Sequence, residues 1–205
     1  AFEQAAASNA DLKIKEQAAY NYALCIHETS YSAFGESVTV FEKFLNEFPN
    51  SPYADKVSNY LVEVYMNTRS YDAALKSIER ITHPSKAILE AKQKILFQLG
   101  TQSFANTRFE QAIGYFNQST ALGQYNLQTK ADALYWLGEA YYRLGRMQEA
   151  ARHFNDYLTL TRQRDTEMFA LAYYNLAYIA FHQKDYATAE SRFRNFVQLE
   201  KGENP

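Results

Sequence analysis

The segment Leu134-Tyr135-Trp136-Leu137-Gly138-Glu139-Ala140-Tyr141-Tyr142-Arg143-Leu144-Gly145-Arg146-Met147-Gln148-Glu149-Ala150-Ala151-Arg152-His153-Phe154 decides the fold. Leu134, Leu137, Tyr141 and Leu144 recur at three or four residues, which puts them on one face of a helix. After Gly145-Arg146 the same spacing resumes with Met147, Ala150, Ala151, Phe154 and Leu158, so the stretch reads as two helices joined by a tight turn. Gly138 and Ala150 are the small residues that let the two backbones approach and the neighbouring aromatics interdigitate.

The pattern recurs along almost the whole chain. Leu24, Leu61, Leu99, Leu137 and Leu176 are separated by 37, 38, 38 and 39 residues. The same steps relate Phe34, Tyr71, Phe109, Met147 and Tyr186, then Ser37, Ala74, Ala112, Ala150 and Ala189, then Phe41, Ile78, Phe116, Phe154 and Phe193. Four columns in step mean five copies of one helical hairpin. The distance from each Leu to its paired aromatic is constant (34 − 24 = 10, 147 − 137 = 10), so variation in length belongs between the copies.

Leu134-x-x-Leu137-Gly138-x-x-Tyr141, followed by Gly145, Ala150 and Phe154, resembles the tetratricopeptide repeat. The resemblance covers roughly residues 17 to 200. Cys25, Val62 and Ala177 stand in place of the Gly, and Glu28, Ser103 and Ala180 in place of the Tyr. It implies an all-α fold, a right-handed α-α superhelix of five helical hairpins over residues 16–51, 52–84, 85–124, 125–164 and 165–201. Residues 1–10 read as the last helix of a preceding repeat, because Phe2 precedes Phe41 by one step (41 − 2 = 39), and 1–205 reads as a single array cut from a longer chain. The steps exceed the about 34 residues usual for the repeat. The extra residues are expected at the ends of second helices or in turns such as Phe48-Pro49-Asn50-Ser51-Pro52, His83-Pro84-Ser85 and Leu122-Gly123-Gln124. The first of these turns is similar to junctions in bacterial cell-envelope tetratricopeptide proteins, of the outer-membrane assembly lipoprotein and Tol-Pal coordinator kinds. That likeness points to a periplasmic or outer-membrane-associated protein rather than a cytoplasmic one.

Composition narrows the chemistry. In 205 residues, 21 Lys and Arg face 23 Asp and Glu, a net charge of -2, which lacks the basic field of a sequence-independent nucleic-acid binder. No apolar run approaches the roughly 20 residues of a membrane-spanning helix. With 17 Tyr and 14 Phe against 7 Gly and 4 Pro, the chain has large rings to bury and little to interrupt helices. His27, His83, His153 and His182 fall in different repeat phases and form no ligand pair, so no metal is expected. Cys25 lies in the small-residue column beside Val62, Gly100, Gly138 and Ala177, where packing explains it better than nucleophilic chemistry. No phosphate-binding Gly-rich loop and no nucleophile elbow is present, and neither an enzymatic activity nor a cofactor is expected.

Function is expected on the face that the resemblance implies is concave, lined by the first helices. The offsets of ligand-facing residues from the small residue select Tyr135, Glu139 and Tyr142 in the fourth repeat, with Arg143 beside them. In the fifth they select Tyr174, Tyr178 and Phe181, with Asn175 and His182 beside them. Rings supply contact area at little rotamer cost, and Tyr hydroxyls can bond the main chain of a bound segment. The expectation is a scaffold that binds a protein or peptide partner there. The alternative is a structural spacer or assembly element whose groove is filled by neighbouring repeats or, through self-association, by a second copy. A carboxylate clamp for a partner's C-terminus needs Lys, Asn and Arg on successive first helices, and only Lys94, or Asn59, matches in any frame.

Overall fold

The computed structural model describes residues 1–7, 11–29, 35–161 and 166–200. They form α1 (Phe2–Ala7), α2 (Leu12–Thr29), α3 (Glu36–Glu47), α4 (Ala54–Thr68), α5 (Tyr71–Glu79), α6 (Lys86–Ala105), α7 (Phe109–Ala121), α8 (Leu127–Arg143), α9 (Met147–Leu160), α10 (Glu167–His182) and α11 (Tyr186–Glu200). Strands are absent among the described residues. Helices α2 to α11 pair in order as five hairpins, which is the all-α tetratricopeptide architecture. The short α1 packs along α2. Two compact units divide the chain, Ala1–Ile95 and Leu96–Pro205, with the boundary inside α6.

The turns inside the second to fifth hairpins share a left-handed residue. Arg69, Thr107, Gly145 and Lys184 all have positive φ, at 54°, 58°, 73° and 65°, and they lie one repeat step apart (107 − 69 = 38, 145 − 107 = 38, 184 − 145 = 39). In the fourth repeat Gly145 N donates to Tyr142 O at 2.9 Å and Arg146 N to Tyr141 O at 2.9 Å, the paired bonds of a Schellman cap that satisfy the last carbonyls of α8. Thr107 with Arg108, and Lys184 with Asp185, make the same pair of bonds. Only Gly145 adopts this backbone without a Cβ penalty.

In the second unit, Gly138 lies so close to α9 that a Cβ on it would fall 2.7 Å from the Phe154 ring, and one on Gly100 would fall 2.5 Å from the Phe116 ring of α7. Phe116 and Phe154 are fully buried, and each stabilises the unit by roughly 1.5–3 kcal/mol through the area it removes from water. Around them one core runs through α7, α8, α9 and α10, with Ala112, Leu137, Ala150 and Leu176 in the repeating columns.

The first unit is held differently. Glu42 of α3 is buried and accepts from Ser77 Oγ and from Arg80 Nε and Nη2 of the α5 end, at 2.8 Å and 2.7 Å for the guanidinium. Tyr65 and Ser77 hydroxyls are also bonded, and burial, followed by the neighbouring Glu42 charge, pushes the Tyr65 phenol up to about 12 even though the Ser77 bond pulls it down. Asn46 of α3 bonds Thr82 N and Arg80 O, so two polar links join successive second helices.

One expectation changes. Cys25 is exposed rather than packed. In repeats three and four the small residue faces the Phe of the second helix, whereas in the first repeat His27 meets Phe41 at 5.2 Å and leaves Cys25 outside. The turns after second helices are long, residues 48–53, 80–85 and 122–126, where extra length is expected, and the starts of first helices vary as well. The distance from helix start to the Leu anchor is 7 in α4 (61 − 54) but 12 in α2 (24 − 12) and 13 in α6 (99 − 86). Where α5 stops after 9 residues, α6 runs for 20, starting just after Ser85, whose hydroxyl accepts from Ile88 N at 3.4 Å. Phe34 lies outside the described residues.

Candidate functional site

Two capped helices carry the selected residues. Asn126 caps α8 by accepting from Thr129 N at 2.9 Å, and Thr166 caps α10 by accepting from Phe169 N at 3.3 Å. Those starts set the rotation of each helix and so the residues that share a face.

Glu139 joins the two helices. Its Oε1 accepts from Asn175 Nδ2 of α10 and from the Tyr135 hydroxyl at 3.3 Å. Tyr142 lies beside this pair; burial raises its phenol, and Tyr178, Glu139 and Tyr174 raise it further while Arg143 opposes them. Tyr174 and Tyr178 stack with centroids 6.2 Å apart and planes 20° apart, and His182 meets the Tyr178 ring edge-on at 4.7 Å. The result is a tyrosine ledge along α10 with an amide–carboxylate pair at its foot and Arg143 and His182 exposed at its end.

Two selected residues stand apart from that ledge. Tyr135 is 5% exposed and its ring is core, edge-on to Phe154 at 5.6 Å and to Tyr157 at 5.4 Å. Burial and the adjacent Glu139 push its phenol well above the usual range, so the hydroxyl is a firm donor to Glu139 rather than an outward group. Phe181 turns to Tyr186 of α11, 5.6 Å away, and lines a separate groove. By contrast Tyr174 is 39% and Tyr178 37% exposed.

Among the described residues no group of three or more His, Cys, Asp or Glu is arranged to hold a metal ion. His153 is buried, stacked on Tyr141 at 5.2 Å and 3°, and burial followed by the Arg152 charge lowers its pKa. Lys94 is tied to Glu90 at 2.8 Å. No described helix is long and apolar enough to cross a membrane.

Residues 97–165 and 171–200 match the tetratricopeptide-repeat family. Those two segments are tetratricopeptide repeats. Repeats of this family are typically protein-interaction modules rather than enzymes. No curated protein sequence matches the chain. Among solved structures it is similar to MamA, with 17% identity, 95% of this chain and 98% of that one covered, and a TM-score of 0.50. BtubC from P. vanneervenii has 16% identity, 92% and 80% coverage and a TM-score of 0.49. YrrB, described as a TPR protein with an unusual peptide-binding site, has 17% identity, 98% and 93% coverage and a TM-score of 0.48. At these identities the likeness speaks to the fold alone.

Proposed function

We propose that the chain is a non-enzymatic scaffold that binds a segment of a partner protein along the first-helix face of its fourth and fifth repeats. The exposed, stacked Tyr174 and Tyr178 beside Tyr142 carry this reading, since exposed aromatic groups grouped around polar ones mark interaction surfaces. The rings bury against the segment, the phenol hydroxyls bond its main chain, and Asn175 with Glu139 sets its register. Tyr135 acts from beneath by orienting Glu139, while Arg143 and His182 select charge at one end.

The test is selection of a random-peptide library against the immobilised chain. Enriched peptides should lose at least about tenfold in affinity for a Tyr142→Ala/Tyr178→Ala double variant of unchanged helicity. Undiminished binding to that variant would remove this face from the mechanism. One observation favours a second reading, an assembly element: Glu139 is covered from α10 by Asn175, whereas Tyr178, one step on (139 + 39 = 178), is open. Light scattering over a concentration series separates the two, because an assembly element self-associates through Tyr178 and a scaffold stays monomeric.

A further inference from the structure

Asp132 and Glu139 lie on one stripe of α8, seven residues apart (139 − 132), which is about 10 Å along the helix. Both are half-buried. Each is held by neutral donors: Asp132 Oδ1 accepts from Gln128 Nε2 at 2.7 Å, and Glu139 Oε1 from Asn175 Nδ2 and the Tyr135 hydroxyl. Elsewhere in this unit Glu110 and Glu149 pair with Arg146, and Glu190 pairs with Arg194. Asp132 and Glu139 have no such cation among the described residues. Burial raises the Asp132 carboxyl although the Gln128 bond pulls it down, as expected where no cation offsets the lost water. Glu167, in the first turn of α10, is a third carboxylate, near enough to act with Glu139 on the Tyr135 phenol.

A half-buried carboxylate bonded only to neutral groups keeps its full charge and attracts a cation. The rings beside Glu139 suit one. Trp136 and Tyr142, both half-buried, flank it at i−3 and i+3, so a basic side chain reaching the carboxylate lays its stem over an aromatic surface. Arg143 follows Glu139 by four residues and is exposed at the end of α8, so the cations of a bound segment belong toward the start of that helix. The stripe is not the seat of a further helix, because α10, the first helix of the next hairpin, is in place against it through Asn175. Spacing selects the segment. In a polyproline-II strand, three residues per turn at about 3.1 Å each put residues three apart on one side and about 9 Å from each other, close to the carboxylate separation. That conformation also leaves the main-chain groups unbonded and free for the phenol hydroxyls.

We infer that the partner segment is basic, with two Lys or Arg residues three apart that pair with Asp132 and Glu139. The inference rests on the binding reading above and deepens it: the tyrosines supply contact area, and the carboxylates choose the chemistry.

The probe is the fluorescently labelled peptide Ser-Pro-Ala-Arg-Pro-Ala-Arg-Pro-Ala-Ser, titrated with the 205-residue chain and followed by anisotropy. Saturable binding is expected, weakened at least about tenfold by Glu139→Gln, by Asp132→Asn, and by Gln in place of either Arg of the peptide. Gln at 139 keeps the acceptor used by Asn175 and Tyr135, and Asn at 132 keeps the one used by Gln128, so melting should not move. Raising sodium chloride from about 50 to about 500 mM should weaken binding as well. Absence of saturation, or equal binding by Glu139→Gln, would overturn the inference. Library peptides that need Tyr142 and Tyr178 yet carry no basic pair would also overturn it, while leaving the binding face in place. Library binding indifferent to Tyr142→Ala/Tyr178→Ala would remove the face and the inference together. Arg162 and Arg164, outside the described residues, precede α10, and Arg162→Gln/Arg164→Gln should leave the affinity unchanged. A tenfold or greater gain in that variant would assign the two carboxylates to the chain's own cations and overturn the basic partner.

Discussion

Repeats four and five place their rings alike, yet one is interior and the other open. Tyr135 meets Phe154 at 5.6 Å and 65°, and Tyr174 meets Phe193 at 5.7 Å and 67°. The second contact of each Tyr, with Tyr157 at 5.4 Å and with Phe196 at 5.3 Å, matches as closely. Tyr135 is nonetheless buried and Tyr174 more than a third exposed. Geometry inside a hairpin thus follows from its own columns, whereas burial depends on the neighbour that covers it, as expected of an array stabilised between adjacent units.

The sharpest way to break this comparison is to truncate the paired anchors. Phe154→Ala should cost about 3–5 kcal/mol and Phe193→Ala about half of that or less, because Phe154 is fully buried and Phe193 only partly so. Urea denaturation midpoints for the two variants measure the difference, and equal losses would contradict the neighbour argument.

Next in size is the small-residue column. Gly138→Leu should destabilise by about 1–3 kcal/mol, since even a Cβ there meets the Phe154 ring, while Ala177→Gly in the fifth repeat should cost only about 0.5–1 kcal/mol through backbone entropy. A melting temperature unmoved by Gly138→Leu would refute the close approach of α8 and α9.

The turn column predicts a gain. Thr107→Gly should stabilise by up to about 1 kcal/mol by removing a β-branched Cβ from a left-handed position, and Lys184→Gly by less. Gly145→Ala, the converse change, should destabilise; the same melting series reads all three.

The smallest effect is on pH dependence and is confined to the fourth repeat. Folding holds the His153 pKa below its unfolded value, so the neutral form is favoured in the folded state. Its contribution is full above about pH 6.5 and is lost as pH falls from there through the folded-state value. His153→Phe should flatten stability between those limits. The fifth repeat has Arg192 at the matching position (153 + 39), and Arg192→Lys should leave that slope unchanged.

Much of this was readable in one dimension because side-chain spacing and helix geometry share a period. The Leu, small-residue and aromatic columns identified the hairpins, and Gly138 opposite Phe154 emerges as expected. The turns were less legible: Gly145 marks its own, but Arg69, Thr107 and Lys184 adopt the same backbone with no compositional sign. The Glu42–Ser77–Arg80 link was missed, although a carboxylate between Phe41 and Phe44 on a buried face is a usable signal. Among the selected site residues, helix phase alone could not separate Tyr135 from Tyr174, because they occupy the same column and make the same ring contacts.

The sequence by itself determined the repeat, its period and which rings anchor each hairpin, since these follow from 3.6-residue periodicity and from volume at close helix contacts. Tertiary structure alone decided which rings remain open. Tyr174, Tyr178, Phe181 and Tyr186 are exposed because no following first helix covers them among the described residues, and only the packed arrangement shows where a neighbour lies.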